Sequence, residues 1–241
     1  MNKPSKHSKP QKSKIELTIE EITHLNERIL NEVPPTGKYT TLTVPPSSST
    51  QPETLEPWEK PISKFTDLPL SSKTIKGLSS SKYITLTPIQ RATLPHSLAK
   101  RDIMGASKTG SGKTLCFLIP LLELLYRVRW SKDDGLGAIV IVPTRELAIQ
   151  VFDVINKIGR FHNFSVGMII GGNNLQKEQE GITAMNILIC TPGRLLQHIT
   201  ETPMFAAESL QMLLIDEAGR ILDEGFEENV NEILTYLPKN R

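Results

Sequence analysis

Between Ala138 and Ile215 the chain carries a series of short apolar runs separated by stretches of helical periodicity. The runs are Ala138-Ile-Val-Ile-Val142, Val166-Gly-Met-Ile-Ile170, Asn186-Ile-Leu-Ile-Cys190 and Gln211-Met-Leu-Leu-Ile215. Strands that are apolar throughout, rather than at alternate positions, belong to a sheet covered on both faces, which is the habit of parallel sheets. Helix candidates lie between and before them: Glu146 to Ile158, Arg194 to Ile199, and a stretch after Lys113. In that last stretch Leu115, Leu118, Leu122 and Leu125 repeat at helical spacing, and Pro120 is expected to kink it. Strand-helix alternation with short connections gives an α/β fold, a parallel sheet flanked by helices on both faces. Ligands of such sheets gather at the carboxyl ends of the strands. No internal repeat is visible.

The first 64 residues have a different texture. Lys3, Lys6, Lys9, Lys12 and Lys14 form a basic start without an acidic residue among them. Pro34-Pro35-Thr-Gly and Pro45-Pro46-Ser-Ser-Ser-Thr-Gln-Pro52 read as linker. The division expected is therefore a basic, Pro/Ser-rich flexible segment over 1–64, with one helical pattern around Ile15 to Val33, and a folded domain over 65–241. The lysine run can bind RNA, serve as a nuclear or nucleolar address, or simply be a solvated tail.

A hydrophobic share of 38 %, low for a compact globule, fits an extended segment beside a packed core. With a formal net charge of +2, any nucleic-acid binding must come from locally placed cations and backbone donors. Cys116 and Cys190 stand far apart among apolar neighbours, which suits buried free thiols in a reducing compartment. No apolar run approaches the roughly 20 residues that cross a bilayer, and Met-Asn-Lys-Pro-Ser-Lys-His is not followed by a signal-like apolar region. The expectation is an intracellular protein with no membrane partner.

Ser107-Lys108-Thr109-Gly110-Ser111-Gly112-Lys113-Thr114 carries the chemistry most directly. It is preceded by Asp102-Ile103-Met104, expected as a strand, and followed by the leucine helix. Glycines at 110 and 112 let backbone N–H groups turn inward around phosphate oxygens. The helix starting near Lys113 adds the positive end of its dipole. Lys113 would reach the β- and γ-phosphates and the Thr114 hydroxyl would ligate Mg²⁺. A P-loop needs an acidic element on a neighbouring strand, and Leu213-Leu214-Ile215-Asp216-Glu217 supplies one. Asp216 would hold the Mg²⁺, and Glu217 would orient and deprotonate the attacking water.

Other segments narrow the family. Asp216 through Phe226 resembles the signature that names the DEAD-box RNA helicases, and Pro143-Thr144-Arg145-Glu146-Leu147-Ala148-Ile149-Gln150 resembles their motif Ia. Gly171-Gly172 looks like their glycine doublet and Thr191-Pro192-Gly193-Arg194 like their motif Ib. Tyr83 through Gln90 resembles the Q motif, with Phe65 as its isolated upstream aromatic. All occur in family order from Phe65 to Arg241. Trp130 with Asp134-Gly135-Leu136-Gly137, and Leu195-Leu196-Gln197-His198 with Glu201-Thr202, resemble the nucleolar subgroup that acts in small-subunit ribosome assembly.

The resemblance implies a RecA-like P-loop domain using ATP and Mg²⁺, and residue roles to match. Gln90 would pair with adenine N6 and N7, Tyr83 would pack on the adenine face beside Phe65, and Thr87 would bond near the phosphates. Pro143, Thr144, Arg145, Gly171, Gly172, Thr191, Pro192, Gly193 and Arg194 would hold RNA by its backbone without reading sequence. A nuclear and nucleolar location, pre-ribosomal protein partners and a monomeric state go with it. A metabolic kinase or GTPase does not fit Gln90 or the Thr-Pro-Gly-Arg segment.

The chain departs from the family at three places. Gly219 stands where the family has its second Asp, so coupling of hydrolysis to strand separation is in question while nucleotide binding is not. After Leu237-Pro238-Lys239-Asn240-Arg241, relatives continue into a Ser-Ala-Thr motif, so a second RecA-like domain with its arginine finger is expected to be absent. Such a finger contributes about 10³ to 10⁵ in rate, so this lobe alone is expected to hydrolyse ATP barely. Both departures also fit a nucleotide- and RNA-binding module without turnover. Third, Ser107 replaces the usual Ala and Glu224 a common Met, both expected to be mild.

Overall fold

The computed structural model describes residues 13–34 and 62–241. Strands β1 (Ala138–Ile141), β2 (Val166–Ile169), β3 (Ile187–Cys190) and β4 (Met212–Ile215) form one parallel sheet in the order β2-β3-β1-β4. The all-apolar runs behave as their composition requires, with β1 and β3 buried along their whole length. Their side chains alternate between two cores. Ala138, Val140, Ile187 and Ile189 face one side, and Ile139, Ile141, Leu188 and Cys190 face the other.

The first face is covered by α2 (Ser72–Ser80), α3 (Pro88–Leu98), α4 (Lys113–Arg127) and α5 (Arg145–Ile158), with Leu94, Leu118, Leu122, Leu125, Val151 and Ile155 in its core. The second is covered by α7 (Pro192–Glu201), α8 (Ala218–Asp223) and α9 (Glu227–Tyr236) through Leu195, Ile221 and Ile233. Helix α6 (Leu175–Ile182) lies between β2 and β3 in sequence. Helix α4 runs on through Pro120, which is buried within it. No helix among the described residues is long and apolar enough to cross a membrane.

Two expectations are corrected. The first concerns residues 1–64, read as flexible. Within them α1 (Lys14–Glu32) is a capped helix that packs on the domain. Ser13 and Glu16 form its capping box, and Ile22, Leu25, Ile29 and Val33 are buried. Glu21 accepts from the Ser72 N–H and from Tyr126, and Arg28 donates to the carbonyls of Asp67 and Leu68. The helical pattern expected around Ile15 to Val33 is present, and what the sequence did not show is that the domain surface completes its apolar stripe. The lysines up to Lys12 and the Pro/Ser-rich linker read over 35–61 lie outside the described residues.

The second concerns the strand expected at Asp102-Ile103-Met104. Residues 101–108 join no sheet, and Met104 is wholly exposed. β4 pairs with β1 on one side only and ends the sheet, and the apolar segment does not add to its free edge. Ile215 on β4 is correspondingly 39 % exposed. A strand exists only by virtue of its ladder partners, and local preference alone does not make one.

Two candidate clefts at the carboxyl end of the sheet

The first cleft, of about 440 Å³, is lined at one end by Phe65, Tyr83, Thr87 and Gln90 and at the other by Thr109 to Thr114, Asp216 and Glu217. The sequence thus places the loop ending in Lys113-Thr114 and the acidic pair after β4 around one space. Lys113 Nζ stands 3.3 Å from Glu217 Oε1 and donates to the Ser107 carbonyl at 2.7 Å. Glu217 reaches it from a left-handed backbone conformation (φ 50°), a strained position for a residue with a side chain. Asp216 is buried, and loss of hydration with the neighbouring Glu217 charge raises its pKa, against the pull of the Glu217 N–H and Lys113.

The loop is shaped by its glycines and tied by its side chains. Gly112 lies at φ +90°, and a Cβ there would come within 2.5 Å of Gln90 Nε2. Gln90 is buried and bridges two elements: its Oε1 accepts from the Thr87 N–H at 2.9 Å and its Nε2 donates to the Gly112 carbonyl at 3.0 Å. The amide keeps one donor hydrogen and one acceptor lone pair for a ligand. Thr87 Oγ1 is buried beside the loop with no partner among the described residues. Ser107, in the place of an alanine, bonds Ser111 hydroxyl to hydroxyl at 2.6 Å and so clasps the loop. Lys108 is exposed. These groups fit a triphosphate: an orphaned hydroxyl, a loop opened by Gly110 and Gly112, the N-terminus of a 15-residue helix and one cation. Thr114 and Asp216, lining the same end, supply the oxygen donors a hard divalent cation takes. Leu147, Gln150 and Val154 of α5 also line the cleft; only their position in the fold assigns them there.

The second cleft, of about 540 Å³, is lined by Pro143, Thr144, Arg145, Gly171, Thr191, Gly193 and Arg194, with Glu146, Gln197, Glu224 and Phe226. Two helices begin on it. Thr144 caps α5 by accepting from the Leu147 N–H, and Pro192 opens α7 behind Thr191. Helix starts present unpaired N–H groups, which suit anionic oxygens. Gly172 lies at φ +95°, a conformation that favours glycine, and the exposed Arg145 guanidinium lies across the turn, 2.7 Å from where a Cβ would sit. Arg145 rests against the glycine doublet.

Arg194 lines the same cleft but is largely held by the protein. It is 9 % exposed, and each guanidinium nitrogen makes one bond: Nε to Glu178 Oε2 at 2.8 Å, Nη1 to Gln197 Oε1 at 2.9 Å, Nη2 to the Asn173 carbonyl at 2.8 Å, leaving two of its five N–H groups for a ligand. Burying a cation is tolerated only when it is paired in this way. Glu178 escaped the sequence reading, and His198 entered it only within the Leu195 to His198 segment, because a pairing between two helices leaves no local pattern. Gly219 is exposed, and a Cβ on it would meet nothing within 4 Å, so an aspartate would fit there without rearrangement. Glu224, on the second cleft, pairs with Arg220 at 2.9 Å. Cys190 is buried as expected, whereas Cys116 is only partly buried; both are free.

Comparison with known proteins agrees with the residues. Residues 87–241 match the family described as DEAD/DEAH box helicase. The chain is 60 % identical over 180 residues to the ATP-dependent RNA helicase dbp4 of Aspergillus niger, covering 75 % of this chain and 22 % of that protein. It is 59 % identical over 177 residues to the probable ATP-dependent RNA helicase ddx10 of Dictyostelium discoideum, covering 73 % and 20 %. The chain therefore spans about a fifth of the length of these relatives. With the motifs in order, the two clefts at one sheet end and this similarity, the chain belongs to the DEAD/DEAH box helicase family.

Proposed function

We propose that this chain is the ATP- and RNA-binding lobe of an ATP-dependent DEAD-box RNA helicase that acts in ribosome assembly in the nucleolus. The observation that carries the nucleotide reading is the single cleft in which Lys113 faces Glu217 at 3.3 Å beside buried Asp216, with the Phe65, Tyr83 and Gln90 end open to a base. Lys113 exchanges its loop carbonyl and Glu217 for phosphate oxygens, which leaves the Glu217 carboxylate beside the terminal phosphate to orient water and take its proton. Thr87 Oγ1 gains the partner it lacks. Thr114 and Asp216 hold Mg²⁺, which when bound neutralises the phosphate charge. Gln90 joins the base to the phosphate loop through one amide, so adenine recognition and loop geometry are coupled.

The second cleft holds RNA by its backbone, through Arg145, the N-termini of α5 and α7 and the side-chain-free turns at Gly171-Gly172 and Gly193. The resemblance of Trp130 with Asp134 to Gly137, and of Leu195 to His198 with Glu201-Thr202, to the nucleolar subgroup supports the assembly role.

Titration with fluorescent ATP and GTP analogues tests the nucleotide site. ATP should bind in preference to GTP, and Gln90→Ala should erode the preference. Equal affinity of the parent chain for both removes the adenine assignment. Affinity for ATP that chelation of divalent cations leaves unchanged removes the metal. Labelled single-stranded RNA of mixed sequences should bind alike, with strong salt dependence.

A further inference from the structure

The buried polar network behind the second cleft has a job of its own. Glu178 sits on α6, one turn after the Gly171-Gly172 turn. Its Oε2 accepts from Arg194 Nε at 2.8 Å and from His198 Nε2 at 2.9 Å, and its Oε1 from Asn173 Nδ2 at 3.0 Å. His198 is closed on its other side by Thr202 Oγ1 at 2.7 Å. Asn173, next after Gly172, is held twice: its side chain by Glu178 and its carbonyl by Arg194. The glycine turn follows β2 and the start of α7 follows the neighbouring β3, and Gly171, Thr191 and Gly193 all line the cleft. One carboxylate thus ties the glycine turn to helix α7.

We propose that Glu178 is a positioning residue for RNA binding, which through Arg194 sets the spacing between the Gly171-Gly172 turn and the Thr191-Pro192-Gly193 bank. It rests on the reading of that cleft as the RNA site. Arg194 in this role orients backbone: its Nε is held by Glu178 and its Nη2 by the Asn173 carbonyl beside the glycine turn. Arg145, seated on the same turn, is aimed by the network without touching it. A turn built on glycines has no side chains to restrain it, so outside bonds must do so.

Hydrogen exchange and RNA binding of Glu178→Gln test this together. The amide keeps the size but presents donors to donors. Exchange at Gly172 to Asn174 in the free protein should quicken about tenfold or more. RNA affinity should fall about tenfold with the slope of log K against log salt unchanged, because no phosphate contact is lost, and ATP affinity should hold. Native exchange at the turn overturns the proposal. So does tighter RNA binding with a steeper salt slope, which would mean that Glu178 merely restrains Arg194 from the phosphates. If Glu178→Gln does not fold, Asn173→Ala, on the exposed end of the network, should give a smaller change of the same kind, and no change in exchange or binding overturns the idea. Should the parent chain bind no RNA, the functional reading fails, while the exchange result still decides whether Glu178 holds the turn.

Discussion

The two clefts open at the same end of one sheet but prepare for phosphate differently. In the first, the cation and the acidic pair face each other directly, and the loop that carries the cation lies outside the sheet, clasped by Ser107, Ser111 and Gln90. In the second, the two arginines of the matching motifs differ in setting: Arg145 is exposed against the glycine turn, and Arg194 is buried and held by Glu178, Gln197 and the Asn173 carbonyl. The difference teaches that a motif places a residue at a site without stating whether its side chain meets the ligand or holds the wall.

The largest effect should come from the first cleft. Lys113→Ala removes the only lining cation among the described residues and should weaken ATP on the order of 10²-fold, the scale of a lost charge-assisted contact. RNA affinity without nucleotide should stay the same. If RNA binding fell equally, the clefts would not be separable, and the contrast between them would break.

Next in size is an effect on the platform under both clefts. His162 packs between Tyr126 and Phe164, with Nε2 bonded to Thr74 Oγ1 at 2.9 Å and Nδ1 without a partner. Burial, and then the Lys73 charge, lower its pKa from 6.5 to about 4. The folded state therefore holds it neutral while the unfolded state takes a proton. Its contribution is complete above about pH 6.5 and is lost as pH falls toward about 4, at most about 3 kcal/mol. Buried Glu123, whose pKa burial raises, acts in the opposite sense, so the measurement is the difference between parent and His162→Gln unfolding across that range. The substitution should flatten the acid loss. Equal acid profiles would assign the loss to other groups.

Much of this was legible from the sequence. The four strands appear within a residue of the expected runs, because apolar runs buried on both faces leave few alternatives. The nucleotide residues from Phe65 to Glu217 gather because each is fixed by an element end. What was not legible depended on partners distant in the chain. Ile103-Met104 has strand composition without a ladder neighbour, and α1 looks polar until its stripe meets Tyr126 and Leu68. Arg194 reads as a phosphate ligand until Glu178 is placed beside it.

Arg145→Ala should weaken RNA about tenfold and lower the salt slope by about 0.7, the loss of one phosphate contact to a single strand. Arg194→Ala should instead lower thermal stability, because it leaves Glu178 buried beside a vacancy. If Arg194→Ala lowered the salt slope as Arg145→Ala does, the division of labour between the two arginines would be disproved.

The smallest effect sharpens the contrast most. Glu224 places a carboxylate on the cleft proposed to take RNA, and its pairing with exposed Arg220 offsets that charge in part. Glu224→Met removes the carboxylate and releases Arg220, so RNA should bind about two- to threefold tighter at low salt, the scale of one screened surface charge. The gain should fade by about 0.5 M salt, as screening shortens to a few ångströms. ATP affinity should not move, since the first cleft has no contact with this residue. A gain that persisted at high salt would point to the methionine packing on RNA, and the second cleft would then bind by apolar contact as well as by charge.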